Sequence, residues 1–128
     1  MADFEDEIRE IMQSLAHAIS VTYSILVDVC EALPVPISLP ADRHIPATNA
    51  VPAIQRAASL AKDQPMGEEQ EAQLSTGCIH LLAAIDLYTL CAARFEVTRA
   101  EGAGANLLYA DAALKNLHVW LLINNQGD

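Results

Sequence analysis

A chain of 128 residues suits a single domain. Its 52% hydrophobic content supplies a core and excludes disorder, and its 5% aromatic share, with Ala, Leu and Ile carrying most of the apolar mass, favours packed helices over sheets. The formal charge of -10, from 17 acidic and 7 basic residues, argues against direct nucleic-acid binding and against an anionic membrane surface as partner. The cations Arg9, Arg43, Arg56, Lys62, Arg94, Arg99 and Lys115 are scattered and form no basic stripe. A protein with a basic surface stays open as a partner.

The N-terminal run from Met1 to Glu7 is acidic and lacks the basic-then-apolar order of a signal peptide. The uncharged stretch from Ile11 to Val27 is broken by Gln13, Ser14, His17, Ser20, Thr22 and Ser24, which makes it too short and too polar for a span. Three widely spaced cysteines do not form a disulfide framework, so a reducing, cytoplasmic setting is expected.

A first helix is predicted from Asp3 to Leu33, about 46 Å long at 1.5 Å per residue. Phe4, Ile8, Ile11, Leu15, Ala18, Thr22, Ile25 and Val29 form its apolar stripe, widened by Met12, Ile19, Leu26 and Leu33. Asp6, Glu10, Gln13, His17, Ser20, Ser24, Asp28 and Glu31 form the polar face. Pro34 ends the helix. The linker from Leu33 to Asn49 carries Pro34, Pro36, Pro40 and Pro46, which favour extended backbone. Its Val35, Ile37, Leu39 and Ile45 suit a crossover that lies along the core, although a proline-rich ligand for an aromatic groove has the same composition.

A short helix follows at about 50–62, with Thr48 or Asn49 as cap, Pro52 in its first turn and Val51, Ile54, Ala58 and Ala61 on one stripe. Asp63 to Gly67 breaks that pattern. A third helix is predicted at about 68–99. Its seam is Leu74, Cys78, Leu81, Ile85, Tyr88, Ala92 and Phe95, and behind that lie Ala72, Ile79, Ala83, Leu87, Leu90 and Val97. Glu101, Gly102, Ala103 and Gly104 read as a helix stop and tight turn, which would lead into a fourth helix at about 105–125. Leu107, Ala110, Leu114, Leu117 and Leu121 make the seam of that helix, with Tyr109, Ala113, Trp120 and Ile123 largely on the other side. The short joint predicts an antiparallel hairpin. Gly77 costs about 1 kcal/mol relative to Ala unless it permits close approach of helices.

No motif for catalysis, metal or nucleotide binding stands out. His17 falls on a polar face. His80 and His118 border their seams without the Glu-x-x-His or His-x3-His spacing of helical metal sites. Asp111 and His118 share a face but lie about 10 Å apart along the axis. Cys30, Cys78 and Cys91 have apolar neighbours and read as small core residues rather than nucleophiles. Asp86 and Asp111 sit in otherwise uncharged helix. If buried, each needs a partner, and Lys115 is placed to serve Asp111. No metal, cofactor or enzymatic activity is expected.

The expected fold is all-α, a compact bundle of three long helices, one short helix and a Pro-rich crossover. Because the third and fourth helices are apolar on both sides, the second side needs another surface to cover it. The leading functional expectation is a cytoplasmic protein–protein interaction module that self-associates as a homodimer or larger assembly. Its contact would be made by Tyr109, Ala113, Trp120, Ile123, Ile79, Ala83, Leu87 and Leu90. Such a module would bind, sequester or scaffold a partner. An alternative is a bundle holding a small molecule between helices three and four, with Asp86, Asp111, His80, His118, Tyr109 and Trp120 facing one cavity. A weaker one is an acidic decoy for a nucleic-acid-binding groove, whose charges would come from Asp3–Glu10 and Glu68–Glu71.

Overall fold

The computed structural model describes residues 3–41 and 47–125, with side chains left out at 47–49. Among these the chain forms four α-helices: α1 (Asp3–Ala32), α2 (Ala47–Leu60), α3 (Glu68–Ala93) and α4 (Val97–Asn125). There is no strand among them, so the protein is an all-α bundle.

In α1 the expected polar face is exposed and Leu15, Ile19, Thr22, Leu26 and Val29 are buried. The N-terminal part of the apolar stripe differs, because Phe4 and Ile11 stay exposed. The helix stops at Ala32, and the Ile37 amide returns to the Cys30 carbonyl at 3.0 Å. The crossover then lies on the core through buried Leu33, Ile37 and Leu39, while Val35 points outward. The Tyr23 hydroxyl donates to the Pro40 carbonyl and the Arg56 guanidinium to the Ser38 carbonyl, both at 2.6 Å. Arg43, Ile45 and Pro46 lie outside the described residues.

The short helix begins earlier than expected. Since α2 starts at Ala47, Thr48 and Asn49 fall inside it rather than capping it, and Pro52 falls in its second turn. A turn of 3₁₀ helix at Ala61–Asp63 continues it to Gln64. Gln64 belongs to the Asp63–Gly67 segment that breaks the helical pattern, yet its side chain is buried and fastens the crossover. Its amide oxygen accepts from the Val35 amide at 3.0 Å and its amide nitrogen donates to the Val35 carbonyl at 2.7 Å.

The turn between the last two helices is the main correction. α3 ends at Ala93, not near Arg99, and α4 begins at Val97, not Ala105. Arg94, in extended conformation, donates its amide to the Leu90 carbonyl at 2.9 Å, and the Ala100 amide begins the next helix by bonding to the Glu96 carbonyl at 3.1 Å. Phe95 packs partly into the core between them. Gly102 and Gly104, which resemble stop signals, lie within α4, and no glycine among the described residues has the positive φ that a left-handed cap requires. Gly102 serves close packing instead, because a Cβ there would stand 3.2 Å from Leu87 Cδ1.

With a turn this short, α3 and α4 form the expected antiparallel hairpin. Gly77 is buried against Leu114, which occupies the space a Cβ would need. α1 runs parallel to α4: Asn125 of α4 donates to the Ala32 carbonyl at the end of α1 at 3.4 Å, and Ile11 and Leu15 share a groove with Gly104 and Leu107 at the other end. α2 packs on α3. By length and composition alone, α1 and α3 are each apolar enough to cross a membrane.

Candidate functional site

The helices divide into two kinds. α1 and α2 are one-sided, with the apolar residues gathered toward the core. α3 and α4 carry apolar residues around the whole circumference. The seam of the hairpin uses one side of each: Leu74, Cys78, Leu81 and Ile85 of α3 pack with Leu107, Leu114, Leu117 and Leu121 of α4 in one buried cluster. The opposite side has no cover among the described residues.

On α4 that outer side is a stripe of Ala105, Ala112, Asn116, Val119 and Ile123, all exposed and all uncharged, at the spacing of one helix face. On α3 it is Ala72, Ile79, Ala83, Asp86 and Leu90, with Asp86 its single charge. Ile79 is 56% exposed, Tyr109 64% and Ile123 63%, although each has the apolar surface of a core residue.

A polar and aromatic cluster links α3 and α4 beside these stripes. The Asn106 amide nitrogen donates to the Gly102 carbonyl one turn back, at 2.9 Å. That fixes which way the amide points and leaves its oxygen to accept from His80 Nδ1 at 2.7 Å. The His80 ring lies 5.3 Å from the Tyr109 ring, with 30° between their planes. His80, Asn106 and Tyr109 thus form one partly exposed platform across the hairpin. His80 and Tyr109 stand out in the sequence and Asn106 does not, because its place four residues after Gly102 on one helix is masked by the stop-like Glu101–Gly104 run.

Of the eight expected contact residues, Ile79, Leu90, Tyr109 and Ile123 are exposed, whereas Ala83, Leu87 and Trp120 are half-buried. Ala113 is buried within the chain and cannot contribute to an outer surface. Trp120 and Leu87 pack against the core, Leu87 beside Gly102. Of the six residues proposed for one cavity, only Asp111 lines a cavity formed by the described residues. His80 and Tyr109 meet, but Asp86 is exposed without an ion pair among the described residues. Asp111 bonds Lys115 at 3.0 Å on the far side of α4, as the spacing predicts, and His118 is half-buried elsewhere on that helix.

The three thiols are buried. Loss of hydration pushes Cys30 and Cys78 from the ordinary 9.0 up to about 12, an effect only partly offset at Cys30 by the Arg56 charge and slightly increased at Cys78 by Cys30. Such thiols stay protonated near neutrality and are poor nucleophiles and poor metal ligands.

A second feature lies on the other flank of α4. A groove of about 850 Å³ runs between α1 and α4, lined by apolar Ile11, Leu15, Ala18, Val21, Leu107 and Leu108 and by acidic Glu7, Glu10 and Asp111. Comparison of the chain with protein-family models, with curated proteins and with solved structures finds no match.

Proposed function

We propose that the protein is a self-associating helical interaction module, and that the outer side of the α3–α4 hairpin is the surface on which two copies meet. The observation that carries this reading is the uncharged, largely apolar stripe of α4, at whose edge the His80–Tyr109 platform links to α3, together with exposed Ile79 and Leu90 on α3. Burial of apolar surface there would stabilise association by roughly 25 cal/mol per Å² before the costs of association are met. A second copy suits the surface because the stripe of α4 carries no charge, so two chains of charge -10 meet where their repulsion is least. A two-fold arrangement would place Tyr109 and Ile123, an aromatic and an aliphatic anchor, in one self-complementary patch. The buried, unbridged thiols suit a reducing, cytoplasmic setting, and the reading requires neither cofactor nor catalysis.

The small-molecule alternative has less support, because only two of its six residues come together. The test of self-association is the solution mass of the Ile79→Asp/Ile123→Asp variant against the wild type. Both positions are exposed, so the fold should be retained, as helical circular dichroism would report. The expected result is an oligomeric wild type and a monomeric variant. Equal masses for the two would remove this surface from the contact.

A further inference from the structure

The groove between α1 and α4 opens on the flank of α4 beside the stripe proposed for self-association, with Leu108 one turn from both Ala105 and Ala112. Its floor is Leu15, Thr22 and Leu107, which are buried, and its walls carry Ile11, Val21 and Leu108. Leu108 is 74% exposed, the highest value of any large hydrophobic residue in the described part of the chain. Along α1 the groove extends from Glu7 to Thr22, about 22 Å of helix, the length of roughly four turns. In a bundle this is the place where one more helix would pack against two parallel neighbours.

Gly104 adds an independent observation. It lies inside α4 and lines the groove, where glycine costs about 1 kcal/mol relative to alanine. At Gly77 and Gly102 a Cβ would meet Leu114 or Leu87, so packing within the chain accounts for the missing side chain. At Gly104 a Cβ would meet nothing within 4 Å. Its absence opens the α4 backbone to close approach from the groove side.

Charge selects the occupant. Glu7 and Glu10 line the groove with neither in an ion pair among the described residues; the third carboxylate, Asp111, is already paired with Lys115 at 3.0 Å, and His17 is the one basic side chain in the lining. A second copy is a poor fit, because no helix among the described residues presents a basic face. α3 has no lysine or arginine, α1 has only Arg9, α2 only Arg56, and α4 only Arg99 and Lys115. We propose that the α1–α4 groove is a docking site for a basic amphipathic helix of a partner protein. Its apolar side would seat on Ile11, Val21, Leu107 and Leu108, with its cations facing Glu7 and Glu10.

The probe is a labelled peptide of the repeat Leu-Lys-Lys-Leu-Leu-Lys-Leu, two repeats long, titrated with the full chain and followed by fluorescence anisotropy. Its controls are a scrambled peptide of the same composition and the same pattern with Glu in place of Lys. The expected result is saturable binding of the patterned Lys peptide, at least about tenfold tighter than either control. Leu108→Lys should weaken it about tenfold or more, and Glu7→Gln/Glu10→Gln should weaken it and flatten its salt dependence. Both variants change exposed residues and should keep the helical content of the wild type. The proposal is overturned by a scrambled peptide that binds equally well, by an affinity unchanged in Leu108→Lys, or by loss of binding in Ile79→Asp/Ile123→Asp instead. It is also overturned by a dimer that Leu108→Lys dissociates and Ile79→Asp/Ile123→Asp leaves intact, which would give the groove to a second copy. A monomeric wild type would refute the hairpin interface and leave this groove proposal standing.

Discussion

Gly77 and Gly104 occupy helix interiors of the same hairpin at the same intrinsic cost, and the structure treats them in opposite ways. Gly77 lies in the seam, where Leu114 fills the place of its missing side chain. Gly104 lies in the α1–α4 groove, where that place is empty. The seam is finished within the chain, whereas the groove and the outer side of the hairpin are not. A glycine alone does not distinguish a turn, a tight packing contact and an open surface. What its absent Cβ would touch does.

The largest expected effect separates two leucines of α4. Leu114→Ala, in the fully buried seam, should cost about 2–5 kcal/mol in urea unfolding. Leu108→Ala, at the groove, should change stability by no more than about 0.5 kcal/mol. Equal losses would mean that the groove is part of the core.

Next comes a pH effect from the buried thiols of α1 and α3. Cys30 and Cys78 have folded values of about 12 against an ordinary 9.0, so above pH 9 the unfolded chain loses these protons first. Their contribution to stability is complete below pH 9 and is lost as pH rises toward 12. The slope approaches about 1.4 kcal/mol per pH unit for each thiol. Replacement of both by Ala should reduce the fall in melting temperature between pH 9 and 11, and an unchanged fall would assign it to other groups.

Smaller effects come from the glycines themselves. Gly77→Ala should destabilise by about 1–3 kcal/mol despite the better helix propensity, because the new methyl overlaps Leu114 in a packed seam. Gly104→Ala should stabilise by about 0.5–1 kcal/mol, since nothing opposes the propensity gain. The same sign for both in thermal unfolding would erase the contrast.

The helical class was readable because α1 repeats its apolar residues at helical spacing over its whole length, with Pro34 as its stop. The two-sided apolarity of α3 and α4 was readable for the same reason. The position of their turn was not. Gly102 and Gly104 look like a stop, but Gly102 answers a contact with Leu87, which is distant in sequence. Gln64 and Val35 share their two hydrogen bonds across a long separation that periodicity does not encode. The candidate contact surface was legible as a face and less so residue by residue. Ala113 and Trp120 turn inward because α4 meets both α1 and α3, which narrows its exposed side. Asp86 looked exceptional as a charge in apolar helix, but it stands on the solvent side, where it needs no partner.

The central claim is that the outer side of the α3–α4 hairpin is covered by a second copy. Its most direct test is the light-scattering mass of the wild-type chain after size exclusion, measured over a wide range of concentration. The account predicts a mass of at least twice the 13.8 kDa chain, falling toward the monomer only on dilution. A mass of one chain at every concentration would contradict it.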